Sequence, residues 1–164
     1  MKTFTEKWDL SPCFSEVELR YATKGDRSSK AAVCSPDDAR EFFMSIWNQD
    51  TLELREEFYV LLLNNAKQSL GWCKLSSGGR TATIVEVSQV VALALLGNAH
   101  SVIVAHNHPS GTLRPSGSDI RLTNKIATAL KVHDLELNDH LIITKAGYYS
   151  FRLHGMINAK PIST

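Results

Sequence analysis

His106 and His108 stand two residues apart at the end of a short apolar run, and Ser116 and Asp119 follow after seven intervening residues. In an extended chain the side chains at i and i+2 project to one face, with about 6.6 Å between their backbone positions. Two imidazoles so placed can share one cation. Pro109, Gly111 and Pro115 let the chain double back, and Asp119 falls in the first turn of a following helix. From there its carboxylate can reach the same point. Two histidines and one carboxylate leave the fourth position of a tetrahedral zinc ion for water, the arrangement of a catalytic rather than a structural site. Zinc lowers the pKa of such a water to about 7 and so supplies a hydroxide nucleophile at neutral pH. The same residues also have plainer uses. Ser116-x-x-Asp119 is a capping box that a helix start would carry with no metal present, and histidines beside a Pro- and Gly-containing loop can be ordinary surface residues.

The elements that must hold these groups are legible from the two hydrophobic periods. Residues 101–105 are wholly apolar after Ser101 and predict a buried strand running straight into His106. A helix follows from about 117 to 132, with Ile120, Thr123, Ala127 and Leu130 at helical spacing. Upstream, Ser35-Pro36-Asp37-Asp38 reads as a helix start, with serine as N-cap, proline in the first turn and acids favoured by the dipole. Residues 57–63, EFYVLLL, are apolar on both faces and predict a central strand, turned by Asn64-Asn65-Ala66-Lys67 into a partner over 69–75. A short strand over 81–85 and a helix capped by Ser88 and ending near Gly97 come next. Strands over 135–143 and 148–151 close the domain. Hairpins mixed with helices predict an α/β fold, a mixed β-sheet with helices on both faces.

The string HNHPSGTLRPSGSD, residues 106–119, resembles the JAMM (MPN/JAB) metalloprotease signature, and its HNHPSG opening is similar to the bacterial RadC-like branch of that family. Arg55-Glu56-Glu57-Phe58, Ser76-Ser77-Gly78-Gly79, the segment 137–142 and Tyr148-Tyr149-Ser150-Phe151 also resemble that branch. The resemblance covers about residues 33–153. It implies a cytidine-deaminase-like three-layer arrangement and one zinc ion, Zn2+, bound by His106, His108 and Asp119. It also implies an oxyanion-binding hydroxyl on Ser116 and an upstream glutamate as general base. The branch pattern Glu-x-Phe-x-Val-Leu falls on Glu56, Phe58, Val60 and Leu61. Glu57 is the rival for the base, because a strand apolar on both faces gives no parity to decide which side holds the metal. The function implied is a zinc-dependent metallohydrolase acting on a peptide or isopeptide bond. Alternatives are a DNA-repair-associated protein acting on or near nucleic acid, and a non-catalytic MPN scaffold.

Composition bounds these readings. The 164 residues, 43% hydrophobic and 21% charged, suffice for one core. The expected division is an N-terminal extension over 1–32, a catalytic domain over 33–155 and a C-terminal tail over 156–164. Larger relatives carry a helix-hairpin-helix module associated with DNA contact where this chain has only the polar extension. The net charge of +1 likewise argues against a large nucleic-acid footprint. The apolar runs are too short to span a bilayer, and the charged N-terminus does not read as a signal peptide. Three scattered cysteines predict no disulfide framework and a cytoplasmic protein, with Cys34 and Cys73 as small buried apolar groups. Asp139-His140 reads as a packing pair or a support for the metal ligands, and His100, His133 and His154 as ordinary surface or helix-end residues.

Overall fold

Helices and hairpins alternate in the computed structural model, which describes residues 32–77 and 85–157. In chain order the elements are α1 (Pro36–Ile46), β1 (Glu57–Leu63), β2 (Ser69–Ser77), α2 (Val87–Leu96), β3 (Ser101–Asn107), α3 (Gly117–Lys131), β4 (Glu136–Thr144) and β5 (Gly147–Ser150). The strands form one five-stranded sheet in the order β2-β1-β3-β4-β5. Only β3 and β4 are parallel, joined by α3 as the crossover; the other neighbours are antiparallel. This is the mixed α/β arrangement that the hairpin-and-helix pattern predicts.

Each face of the sheet carries its own core. Tyr59, Leu61, Leu63, Ile103, Ala105, Leu141 and Ile143 pack with Ala39 and Phe43 of α1. Phe58, Val60, Leu62, Val102 and Val104 pack on the other face with Val90 and Ala94 of α2 and Ile126 and Leu130 of α3. Three layers result: α1, the sheet, then α2 and α3. Burial on both sides explains why β1 and β3 read as unbroken apolar runs rather than alternating ones; all seven residues of each are buried.

The helix ends follow local chemistry. Ser35 and Asp38 close a capping box at α1, and Ser116 and Asp119 close another at α3. At α2 the expectation of a Ser88 cap is corrected. The helix starts at Val87, and its N-cap residue Glu86 makes no side-chain capping bond. Gly97 ends α2 where the helix meets β1 closely: a Cβ there would lie 2.4 Å from Leu62 Cδ1 and 2.9 Å from the Leu93 carbonyl oxygen. The strand β3 runs two residues further than residues 101–105, so that His106 belongs to the sheet.

A second correction concerns the thiols. Cys34 is exposed and Cys73 only partly buried, both free. Cys34 sits just before the α1 cap, and Cys73 lies on β2, the edge strand of the sheet among the described residues. Cys13, the alternating stretch at 16–21, the extension 1–32 up to residue 31, the segment 78–84 and the tail beyond 157 lie outside the described residues. Among the described residues no helix is long and apolar enough to cross a membrane.

Candidate metal centre

Parity along two strands decides which polar groups meet. In β3 the even-numbered Val102 and Val104 face the layer of α2 and α3, and His106 continues that row. Phe58 pairs with His106 across the antiparallel β1–β3 ladder. Continuing the register by two residues brings Glu56 beside His108. The capping box of α3 then presents Asp119 from the third side, where its Oδ2 accepts from the Ser116 backbone N–H at 2.6 Å.

The result is a group of four: one ligand atom each from Glu56, His106, His108 and Asp119 lies within 4.8 Å of all the others. They line an open cleft of about 540 Å³, together with Ser116 and Arg114. The Nε2 atoms of His106 and His108 are 3.0 Å apart. Asp119 Oδ1 is 3.4 Å from the first and Oδ2 3.5 Å from the second. Ligands about 2.0–2.1 Å from a tetrahedral zinc ion are separated from one another by about 3.3–3.4 Å. The spacing of the two nitrogens and the carboxylate therefore suits a small divalent cation, and so does their chemistry. His108 Nδ1 lies 2.7 Å from the Thr112 carbonyl oxygen. A carbonyl only accepts, so that nitrogen carries the proton and the Nε2 of the neutral ring is bare.

Electrostatics separate the roles. Burial pushes the His106 pKa down to about 4, so the ring is neutral at physiological pH. His108 is raised, chiefly by its hydrogen bond to Asp119. A carboxylate that favours a proton on His108 favours a metal cation in the same place. Burial alone would raise Asp119, but hydrogen bonds, first from His108 and then from Ser116, hold it well below the usual carboxylate range. Glu56 is shifted upward, first by burial and in smaller part by the Asp119 charge.

Glu57 points to the opposite layer. Its side chain is fully buried, held by Lys74 Nζ at 2.9 Å and Arg55 Nε at 3.0 Å. The Tyr59 hydroxyl donates to it at 3.3 Å. Ser116 lies at the cleft with its Oγ accepting from the Asp119 N–H at 3.2 Å and 2.8 Å from Ser118 Oγ. The distant histidines His100, His133 and His154 take no part in this group of four.

Three further residues shape the centre, and of these the sequence pattern marks only His140, as packing or as a support for the metal ligands. Asn107, between the two histidines, points to the opposite face. Its Oδ1 accepts from Glu57 N at 2.7 Å, and its Nδ2 donates to the carbonyls of Leu52 at 2.6 Å and Arg55 at 2.8 Å. His140 is fully buried, with Nε2 2.8 Å from His106 Nδ1. Thr123 lies behind it, with Oγ1 2.7 Å from His140 Nδ1. The adjacent Asp139 instead faces Ser150 and Arg152 and does not enter the centre. The signal that could have found Asn107 is the strand period itself, which sends the residue between two like-facing histidines to the other side.

A model of the RadC-like JAB domain matches residues 33–156. The chain is similar to a UPF0758 protein of Flavobacterium johnsoniae, 49% identical over 96 residues that make up 58% of this chain and 42% of that one. A UPF0758 protein of Porphyromonas gingivalis is 42% identical over 104 residues, 63% of this chain and 46% of its own. The UPF0758 protein YeeS of Escherichia coli is 40% identical over 126 residues, 77% of this chain and 83% of its own. The chain thus spans about half the length of the first two relatives and most of the third.

Proposed function

The chain belongs to the family of RadC-like JAB domains, and from that premise we propose that it is a zinc-dependent hydrolase of peptide or isopeptide bonds. His106, His108 and Asp119 hold the ion, Glu56 is the general base and Ser116 binds the developing oxyanion. The observation that carries this reading is the convergence of two imidazole nitrogens and a carboxylate at the spacing of metal ligands, with Glu56 beside them.

A bound zinc ion supplies Lewis acidity and lets water act as a nucleophile at neutral pH. Glu56 takes a proton from the attacking water and returns it to the departing amine. Its upward shift suits that task, because a general acid–base group works best with a pKa nearer the operating pH. The Ser116 oxygen accepts from the Asp119 N–H, and with Ser118 as the donor of the 2.8 Å contact between the two hydroxyls, the Ser116 proton is available to the substrate carbonyl oxygen as negative charge grows there. Such a donor is typically worth about 10²–10³ in rate. Glu57 has no part in the reaction, since its carboxylate is committed to Lys74 and Arg55 on the far side of the sheet. The free thiols of Cys34 and Cys73 suit a reducing compartment such as the cytoplasm.

Metal analysis of the chain purified without added zinc tests the centre. The expected result is close to one ion per chain, lost in His106→Ala and Asp119→Ala. Sub-stoichiometric metal that those substitutions leave unchanged would overturn the reading. A panel of peptide, isopeptide and single-stranded DNA substrates, each with and without chelator, then separates amide hydrolysis from action on nucleic acid.

A further inference from the structure

We propose that Thr123 and His140 are positioning residues that set the tautomer of His106, keeping its proton on Nδ1 so that the Nε2 lone pair faces the metal position. The inference rests on His106 being a metal ligand, and it adds how the protein makes that nitrogen able to bind.

The chain of donors runs one way. Thr123 donates its hydroxyl proton to the Asp119 carbonyl at 2.6 Å, one helical turn back. With its single proton engaged, Thr123 Oγ1 can only accept from His140 Nδ1, 2.7 Å away. A neutral imidazole protonated on Nδ1 has a bare Nε2, and that atom of His140 lies 2.8 Å from His106 Nδ1. His106 therefore donates from Nδ1 and leaves Nε2 unprotonated toward His108 and Asp119, at 3.0 and 3.4 Å. The relay begins at the Asp119 carbonyl and ends where the Asp119 carboxylate lies, so one helical residue anchors both ends.

Burial makes the direction matter. His140 and Thr123 are 0% and 1% exposed and His106 is 2% exposed, so water cannot substitute for a missing partner. The His140 ring is also fixed in plane, stacked on Phe151 at 4.7 Å between centroids and meeting Phe58 edge-on at 5.8 Å. It cannot swing to find another acceptor. Reversing the relay keeps one proton on each ring but moves both from Nδ1 to Nε2. The His106 proton would then occupy the position where a metal must bind. Ligand histidines generally have the second nitrogen held by such a partner, and losing it typically costs about 10–100-fold in metal affinity.

Thr123→Val is the decisive variant, because it keeps the side-chain shape, touches no proposed ligand side chain and removes the acceptor that His140 Nδ1 has among the described residues. Nitrogen-15 NMR of the imidazoles in the full, metal-free chain reads the tautomer directly, and zinc titration reads the affinity. The expected result is His106 protonated on Nδ1 in the wild type and in Thr123→Ser, and on Nε2 in Thr123→Val. Zinc affinity should fall about 10–100-fold in Thr123→Val and return in Thr123→Ser. Thr123→Ala gives the same readout if valine is not tolerated. Nε2 protonation of His106 in the wild type, or an unchanged tautomer and affinity in Thr123→Val, would overturn the proposal. If the wild type binds no zinc, the metal reading fails while the metal-free spectra still decide the relay.

Discussion

On one face of the sheet the Glu57 carboxylate meets Lys74 and Arg55 at 2.9 and 3.0 Å; on the other, its neighbour Glu56 joins two imidazoles and a second carboxylate. Both are acids at the start of β1, and alternation across the strand sends them to opposite layers. The first environment already contains its cations. The second gathers electron pairs, which a proton or a metal ion can balance. The two capping boxes teach the same lesson. Among the described residues Ser35 and Asp38 serve only the start of their helix, whereas Asp119 uses the same local geometry to reach a pair of histidines. A capping box and a metal ligand are thus compatible uses of one aspartate.

The largest expected contrast lies between the two aspartates. Asp119→Ala should abolish zinc loading and hydrolysis, whereas Asp38→Ala should keep both and lower stability only modestly, as a weakened cap. Metal content, turnover and urea denaturation of the two variants measure this. Equal metal loss in both would erase the distinction between the boxes.

The two glutamates should separate next. Glu56→Gln is expected to retain zinc and fold while losing about 10²–10⁴ in rate, the usual contribution of a positioned general base. Glu57→Gln should instead lower stability by about 1–3 kcal/mol, because it weakens charged hydrogen bonds to a buried group, and leave the rate of the folded protein near the wild type. Loss of turnover in Glu57→Gln alone would assign the base to the wrong face.

Removing metal should give a smaller and purely thermodynamic signal. Chelation is expected to lower the melting temperature, and zinc at a hundred times its dissociation constant should restore about 2.7 kcal/mol. The Asp119→Ala variant should show no response, and Asp38→Ala a full one, in a thermal melt with and without chelator.

The smallest effect concerns acid. Hydrogen bonds from Lys74 and Arg55 outweigh burial and hold Glu57 below its ordinary value of 4.5. A carboxylate lowered by folding contributes stability above its unfolded value, and that contribution fades as pH falls through the folded one. The stability gap between wild type and Glu57→Gln should therefore be full at pH 7 and narrow below about pH 4. Urea midpoints across that range measure it, and a gap independent of pH would mean that the ion pairs do not stabilise the fold.

Much of this was legible in the chain because the relevant signals are local. Ser35-Pro36-Asp37-Asp38 announces α1 through its own capping atoms, and the apolar run before His106 announces a strand. The start of α2 is hidden for the complementary reason: Glu86 makes no capping bond, so the sequence points to the nearest good capping type, Ser88, two residues inside the true cap. The choice between Glu56 and Glu57 could not be read from β1 because both its faces are buried. It is set by the pairing of Phe58 with His106, a contact between distant segments. Thr123 fits the apolar helical spacing of α3, and its hydroxyl gains a role only once β4 brings His140 against it. Burial of cysteine is a tendency of the residue type, whereas the exposure of Cys34 and Cys73 follows from their places before the α1 cap and on the outermost described strand.

Asn107 carries a consequence for precision. It is clamped to the backbone at Leu52, Arg55 and Glu57 and sits between the two histidines, so it ties the segment of Glu56 to the segment of His106 and His108 just where the β1–β3 ladder ends. A displacement of about 1 Å between reacting groups can cost about 10²-fold in rate. The tolerance of the centre therefore depends in part on three hydrogen bonds on the opposite face of the sheet. A residue that never meets the substrate would fix how finely the molecule is machined.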